Sequence, residues 1–401
     1  MSLRQPESLF SADSANFRPS AIRAFAHLIN DPGVISFAGG LPSPQTFPAE
    51  RIAELGAEVI RDRRHIALQY GPTPGIPRLR ESIAAIASGR GVRATAENVI
   101  VTTGSQQALH LVATVFLDPG DVVLVELPSY IGALSAFHAR RAELAGVAQD
   151  EEGIVPSDLR AVCARVRAGG KTVKFLYTIP NFQNPSGRLL AAKRRAEVLE
   201  IAREEGFFVI EDDPYGEIVF DETADTTPIG AVEGSLANLV YLGSFSKILA
   251  PGLRCGFIVA QPSVLQRVQL AKEAADLCSG MLDQSIVDEL CARGELPAQI
   301  LRVRSFYRDR SRAMMDELSA QFGGRARWTD AKGGLFTFLT LDSDVDTAEM
   351  VPKAIAAGVA YVPGAAFFVD GSGRNSMRLT FAKEPDDRMR EGVARLARLF
   401  E

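Results

Sequence analysis

Short apolar runs recur through the middle of the chain, each bounded by polar or turn-forming residues. Asn98-Val99-Ile100-Val101-Thr102, Val122-Val123-Leu124-Val125, Lys174-Phe175-Leu176-Tyr177-Thr178, Phe207-Phe208-Val209-Ile210, Leu239-Val240-Tyr241-Leu242 and Gly256-Phe257-Ile258-Val259-Ala260 read as strands. Helical segments lie between them. One opens at Gly104-Ser105-Gln106-Gln107 and runs through Phe116, and another carries Lys193 to Glu205. Strands that are apolar throughout, rather than alternating, predict a sheet covered on both faces. With helices between them, the pattern predicts an α/β fold with a mostly parallel central sheet.

The flanks read differently. Residues 1–19 form an irregular arm, and Ser20 is placed to cap a short helix with Ile22, Phe25, Ala26 and Ile29 on one stripe. Ile35-Ser36-Phe37-Ala38 is extended and runs into a turn at Gly39-Gly40. Amphipathic helix covers Pro48 to Arg61, a loop covers Gln69 to Gly75, and helix resumes from Leu79 to Ser88. Residues 263–322 are helical, with a long segment crossing between lobes. Short strands follow (Leu335 to Leu341, Val359 to Val362, Met377 to Phe381), with a helix near 347–357. A terminal helix at 386–400 has apolar Met389, Val393, Leu396 and Leu399. No internal repeat or low-complexity tract interrupts the order.

Composition narrows the class. The 401 residues are 46% hydrophobic and 23% charged with a net charge of −5, so neither nucleic acid nor an anionic membrane is an expected partner. The start lacks the apolar core of a signal peptide, and no apolar run approaches the length of a membrane span. Cys163, Cys255, Cys278 and Cys291 show neither a paired motif nor metal spacing. A cytoplasmic enzyme without a metal is the expectation.

In open α/β sheets ligands bind beyond the carboxyl ends of the strands. Here five such ends carry usable groups: Ser105, Tyr130, Asn184, Asp212 with Tyr215, and Lys247. Ser244, Ser246 and Arg254 offer two hydroxyls and a planar fork for a phosphate, with the amine of Lys247 beside them. A lysine free to form a Schiff base next to a phosphate site is what pyridoxal phosphate requires. Each position also has an ordinary use. Ser105 opens a helix whose N-terminus favours an anion but needs no ligand. Tyr130 stacks on a flat ring or packs at a rim, and Asn184 donates to a ring oxygen or makes a turn. Asp212 needs a cation or donors, which an arginine also supplies, and Asp213 competes for the same role.

Thr103-Gly104-Ser105-Gln106-Gln107-Ala108-Leu109, Pro180-Asn181-Phe182-Gln183-Asn184-Pro185-Ser186-Gly187, Glu211-Asp212-Asp213-Pro214-Tyr215 and Ser244-Phe245-Ser246-Lys247 with Pro251-Gly252-Leu253-Arg254 together resemble the class I/II, fold-type I aminotransferases that use pyridoxal phosphate. The resemblance extends over nearly the whole chain. Ser20-Ala21-Ile22-Arg23 and Ile35-Ser36-Phe37-Ala38-Gly39-Gly40-Leu41-Pro42 look like the 2-aminoadipate/kynurenine aminotransferase subgroup. The resemblance implies that Lys247 carries the cofactor and shuttles a proton, and that Asp212 pairs with the ring nitrogen. It further implies that Tyr215 and Asn184 contact the ring hydroxyl, that Tyr130 stacks, and that Ser105, Gln106, Ser244, Ser246 and Arg254 hold the phosphate. Arg378 matches the arginine that clamps the substrate α-carboxylate, and Gly40 and Asn184 line the same pocket. Tyr70 matches a residue lent across a homodimer interface. Arg23 matches one that faces the site and can pair with a distal carboxylate.

The resemblance also implies a division into an arm at 1–44, a cofactor-binding domain at 45–299 and a smaller α+β domain at 300–401 built with the other chain end. The expected reaction is ping-pong transamination between 2-aminoadipate, glutamate or an aromatic amino acid and 2-oxoglutarate or another 2-oxo acid. Two alternatives share the scaffold: a β-elimination lyase, and a ligand-sensing regulator. The regulator would need a winged-helix module, for which too few residues precede Ser20.

Overall fold

The apolar runs assemble into one eight-stranded sheet in the computed structural model, which describes residues 6–16, 33–232, 234 and 236–401. The strands of the chain in order are β1 (Ile35–Ser36), β2 (Val99–Thr103), β3 (Val122–Leu127), β4 (Glu143–Asp150), β5 (Gly153–Ile154), β6 (Val173–Thr178), β7 (Phe208–Asp212), β8 (Leu239–Ser244), β9 (Cys255–Val259), β10 (Ala326–Trp328), β11 (Phe336–Leu341), β12 (Val359–Ala360), β13 (Val362–Pro363) and β14 (Ser376–Thr380). The large sheet has the order β2-β9-β8-β7-β6-β3-β4-β5. Parallel pairing holds from β4 through β3, β6 and β7 to β8, while β9 runs against both β8 and β2. All six residues of β8 and all five of β9 are buried. That explains the absence of polar alternation in these strands: helices cover both faces, so no position of β8 or β9 faces water.

Six strands lie within a few residues of their expected limits. The stretch 131–172, where periodicity predicts nothing, holds the helices Ile131–Ala139 and Pro156–Ala168 and the strands β4 and β5. β4 lies near the sheet edge and is only partly buried, so its composition is mixed and carries no clear run. The helical region after 262 comprises Pro262–Asp276, Met281–Ala292 and Leu296–Phe322. The last of these is continuous across residues 299 and 300, where the sequence division between domains falls.

The C-terminal strands form a four-stranded antiparallel sheet, β10-β11-β14-β13. β1 pairs in parallel with β12, which ties the amino-terminal segment to this part of the chain. The sequence-expected helix beginning at Ser20, with Arg23 on it, lies outside the described residues. Among the described residues, no helix is long and apolar enough to cross a membrane.

Candidate active site

β7 ends on Asp212, and the burial that makes β7 a good central strand makes this carboxylate expensive. Asp212 Oδ2 accepts a 2.8 Å hydrogen bond from the Tyr177 hydroxyl on the neighbouring β6. Its Oδ1 is buried with no partner. Burial pushes the carboxyl up to about 7, against the Tyr177 bond, and Asp213 adds to the rise. An unsatisfied buried carboxylate oxygen is a receptor for a donor or cation not supplied by the chain.

Asp213 has the opposite situation. Its carboxylate pairs with Arg90 at 2.9 Å and accepts from Asn181 Nδ2, the Gly216 N–H and the Tyr241 hydroxyl. Those partners satisfy it, which leaves Asp212 as the one of the two with an unpaired buried oxygen.

Lys247 follows β8 and is half-buried, with Nζ donating to the Gly40 carbonyl at 3.0 Å. Burial lowers its pKa to about 8, helped by the positive charges of Arg378 and Arg254 and opposed by Asp212. A neutral amine is therefore accessible near physiological pH, which a nucleophilic lysine needs. The Gly39-Gly40 segment, expected as a tight turn, is instead irregular chain without turn geometry, and it reaches the site through the Gly40 carbonyl.

Between β2 and the helix Ser105–Phe116, Gly104 adopts φ 75°, a left-handed geometry that a side chain would strain. A Cβ there would fall 2.5 Å from Arg254 Nη2, so the guanidinium lies directly over the glycine. Arg254 also donates to the Thr103 and Pro251 carbonyls and is itself exposed. Gly256 on β9 comes against the Gly104 backbone and the Ser105 N–H, leaving no room for a side chain. The result is a cradle at a helix N-terminus with an arginine on its rim, which suits an anion. Ser105 is half-buried at this terminus. Ser244 and Ser246 are buried close by, and the Ser246 N–H donates to Ser244 Oγ at 3.1 Å. Gln106 is exposed and its amide donates to the Gly132 carbonyl.

Arg378, on β14, reads from its local sequence as an exposed strand arginine, but it is completely buried. Its Nη1 donates to Asn184 Oδ1 at 2.9 Å and its Nη2 to the Ala38 carbonyl at 2.7 Å, while Nε has no partner. Its guanidinium lies 4.4 Å from the centroid of the Phe336 ring. Among the described residues no carboxylate pairs with it. Burial pushes its pKa down to about 10. A guanidinium held dry without a counter-ion is a receptor for an anion. Asn184 also shares a hydrogen bond with the Tyr215 phenol, whose pKa burial pushes up, and Tyr215 meets Phe336 edge to face. Gly40 links the two ends of the site. Its carbonyl takes the Lys247 bond, and a Cβ on it would lie 3.9 Å from Arg378 Nη1.

Tyr70 is 80% exposed. Arg23 lies outside the described residues. Tyr177, Phe336 and the Ala38 carbonyl carry no local sequence signal, because an apolar strand or a backbone atom looks the same with or without a site beside it.

The profile of aminotransferase class I and II matches residues 33–396. The chain belongs to the class I and II aminotransferases. It is 40% identical to the aromatic-amino-acid aminotransferase 1 of Thermococcus litoralis, over 98% of this chain and 94% of that one. It is 41% identical to the 2-aminoadipate transaminase of Thermus thermophilus, over 98% and 96% of the two chains. The solved alpha-aminoadipate aminotransferase of Thermus thermophilus, complexed with N-(5'-phosphopyridoxyl)-L-leucine, superimposes with a TM-score of 0.90. That match is at 39% identity and covers 99% of this chain and 98% of that chain. The aminotransferase has the fold-type I architecture, and its cofactor is pyridoxal phosphate. The residues present fit that group: an orphaned acceptor at Asp212 that would suit the ring nitrogen, an anion cradle at Gly104 that would suit the phosphate, and an amine at Lys247 that feels the charges of both Asp212 and Arg254.

Proposed function

We propose that this aminotransferase moves the amino group of glutamate, 2-aminoadipate or an aromatic L-amino acid to a 2-oxo acid such as 2-oxoglutarate, in a ping-pong cycle. The observation that carries the reading is Arg378, a buried guanidinium with no carboxylate partner among the described residues, joined through Gly40 to the Lys247 amine. A substrate with a carboxylate on the same carbon as its amino group spans these two receptors. The named activities of the Thermococcus and Thermus relatives support the aromatic and aminoadipate classes.

Pyridoxal phosphate, when bound, supplies an aldehyde for the amino group and a protonated ring that draws electrons from the substrate α-carbon. In this reading Asp212 Oδ1 holds the proton on the ring nitrogen. Lys247 Nζ anchors the cofactor and moves the substrate α-proton. Ser105, Gln106, Ser244, Ser246 and Arg254 hold the phosphate, Tyr130 stacks on the ring, and Tyr215 with Asn184 orients the ring oxygen. Arg378 clamps the α-carboxylate bidentately, and Asn184 fixes the plane of its guanidinium. The large unit at 45–299 would carry the cofactor, and 300–401 with the amino-terminal segment 1–44 would carry the carboxylate clamp. Two copies would form a homodimer in which the exposed Tyr70 serves the partner's phosphate, and Arg23 would meet a distal carboxylate.

The test is a donor panel with 2-oxoglutarate as acceptor. Arg378→Leu should lower kcat/KM for every amino acid by about a hundredfold, the scale of a lost charge-assisted pair. An unchanged kcat/KM for all donors would refute the carboxylate role of Arg378.

A further inference from the structure

A second buried charge lies behind the anion cradle. Lys272, on the helix Pro262–Asp276, is completely buried, yet it belongs to none of the groups assigned above. Its Nζ donates to both Asp276 oxygens at 2.9 Å, to Ser279 Oγ at 2.9 Å and to Gln107 Oε1 at 3.1 Å. Gln107 stands in the first turn of the helix that starts at the cradle. Its Oε1 also accepts the Thr103 N–H at 2.8 Å, and its Nε2 donates to Asp276 Oδ2 at 2.6 Å. Thr103 Oγ1 reaches Asp276 and Ser279 as well, while the Thr103 carbonyl accepts from Arg254. The N–H and hydroxyl of Thr103, next to Gly104 on its strand side, are therefore tied to the ion pair.

The same hub extends in the other direction. Cys278 Sγ accepts the Gly71 N–H at 3.5 Å, next to Tyr70. A Cβ on Gly71 would fall 2.2 Å from Met281 Sδ, so this loop is seated directly on the segment after Asp276. Gln284 closes the join, donating to the Ser279 carbonyl and accepting from the Ile76 N–H. A buried ammonium that accounts for its own desolvation only through one carboxylate and two neutral partners is costly to keep in a core. Residues 103–107 and 70–76 are the two backbone segments it fixes.

We propose that Lys272, paired with Asp276, is a positioning residue for the cofactor phosphate, holding the turn at Thr103-Gly104 under Arg254 and the loop that presents Tyr70. This rests on the reading that Arg254 and the cradle bind the phosphate. The pair touches no ligand itself. It acts by setting the direction of the N–H groups at the start of the helix Ser105–Phe116 and the height of Arg254 above Gly104, geometry on which an anion site depends.

The test compares binding of pyridoxal phosphate and of pyridoxal, which lacks the phosphate, to the apo dimer by fluorescence quenching. Lys272→Met should weaken pyridoxal phosphate at least about tenfold and leave pyridoxal within about twofold, because only the phosphate grip depends on the hub. Gln107→Met cuts the same path at a half-buried position with the ion pair left in place, and it should show the same selective loss. That variant keeps the test decisive if Lys272→Met does not fold. Equal losses for both ligands would show a general structural role and overturn the proposal, as would no loss for either. Arg254→Leu is the control for the underlying reading. If it too fails to separate the two ligands, the phosphate site is misassigned; if it separates them and the Lys272 and Gln107 variants do not, only the positioning role falls.

Discussion

Replacing Asp212 with asparagine should stabilise the protein without cofactor at alkaline pH and weaken the hold on the cofactor. In the free protein, Asp212 is buried with Oδ1 unpartnered, and its carboxyl is pushed up from 3.8 to about 7. A folded pKa above the unfolded one makes a contribution to stability that is fully present below the unfolded pKa and lost as pH rises through the folded one. Between pH 5 and 8 the unfolded carboxylate is already ionised, while the folded one gives up its proton near 7. That withdraws about 2.5 kcal/mol, roughly two pH units at about 1.36 kcal/mol each. Glu126 and Glu211 are also pushed up to about 7 by burial, but both are present in either protein and cancel in the comparison. The assay is urea unfolding of apo protein, native and Asp212→Asn, at pH 5 and pH 8. The native protein should lose about 2.5 kcal/mol more than the variant across that interval. Affinity for pyridoxal phosphate should meanwhile fall by about tenfold or more in the variant, because a neutral amide does not hold the ring-nitrogen proton. Identical pH slopes for the two proteins would refute the claim that Asp212 is a strained, waiting acceptor.

Three further outcomes follow from the same geometry. Lys247, held down to about 8, should capture added pyridoxal phosphate faster as pH rises through that value, and stopped-flow absorbance should show the rate levelling above it; a pH-independent rate would contradict the assignment. Asp213→Asn breaks a buried ion pair with Arg90 and should cost about 3 kcal/mol of unfolding free energy, with donor specificity unchanged in the folded fraction. Hybrid dimers mixing Tyr70→Phe with Lys247→Ala subunits should recover activity at one site free of both lesions, and activity that sediments with a monomer would rule out the shared site.

The sequence carries the sheet because each buried strand contains a run of consecutive apolar residues without polar alternation, and β8 and β9 announce themselves by that alone. It carries the residues at strand ends because a Gly-Ser turn, an Asn-Pro and a lysine stand out against such runs. What it hides is partnership. Nothing local distinguishes Asp212 from Asp213; only the fold shows that Arg90, Asn181 and Tyr241 satisfy one and leave an oxygen of the other bare. Arg378 is hidden for a related reason. Its burial comes from packing of β14 against β11 and from the rings of Phe336 and Phe367, residues distant in sequence whose spacing has no local period. Lys272 shows its i+4 partner Asp276 in the sequence but not its burial, because the Gln107 that closes the hub comes from a distant helix.

The most direct test of the account is a single half-reaction. Holoenzyme is mixed with L-2-aminoadipate, L-glutamate or L-phenylalanine with no acceptor present, and cofactor absorbance, 2-oxo acid and ammonia are followed together. The account predicts an absorbance change that stops after one equivalent of 2-oxo acid per Lys247 site, with no ammonia, and that reverses on adding 2-oxoglutarate. Continuous release of ammonia, or no absorbance change with any of the three amino acids, would contradict it.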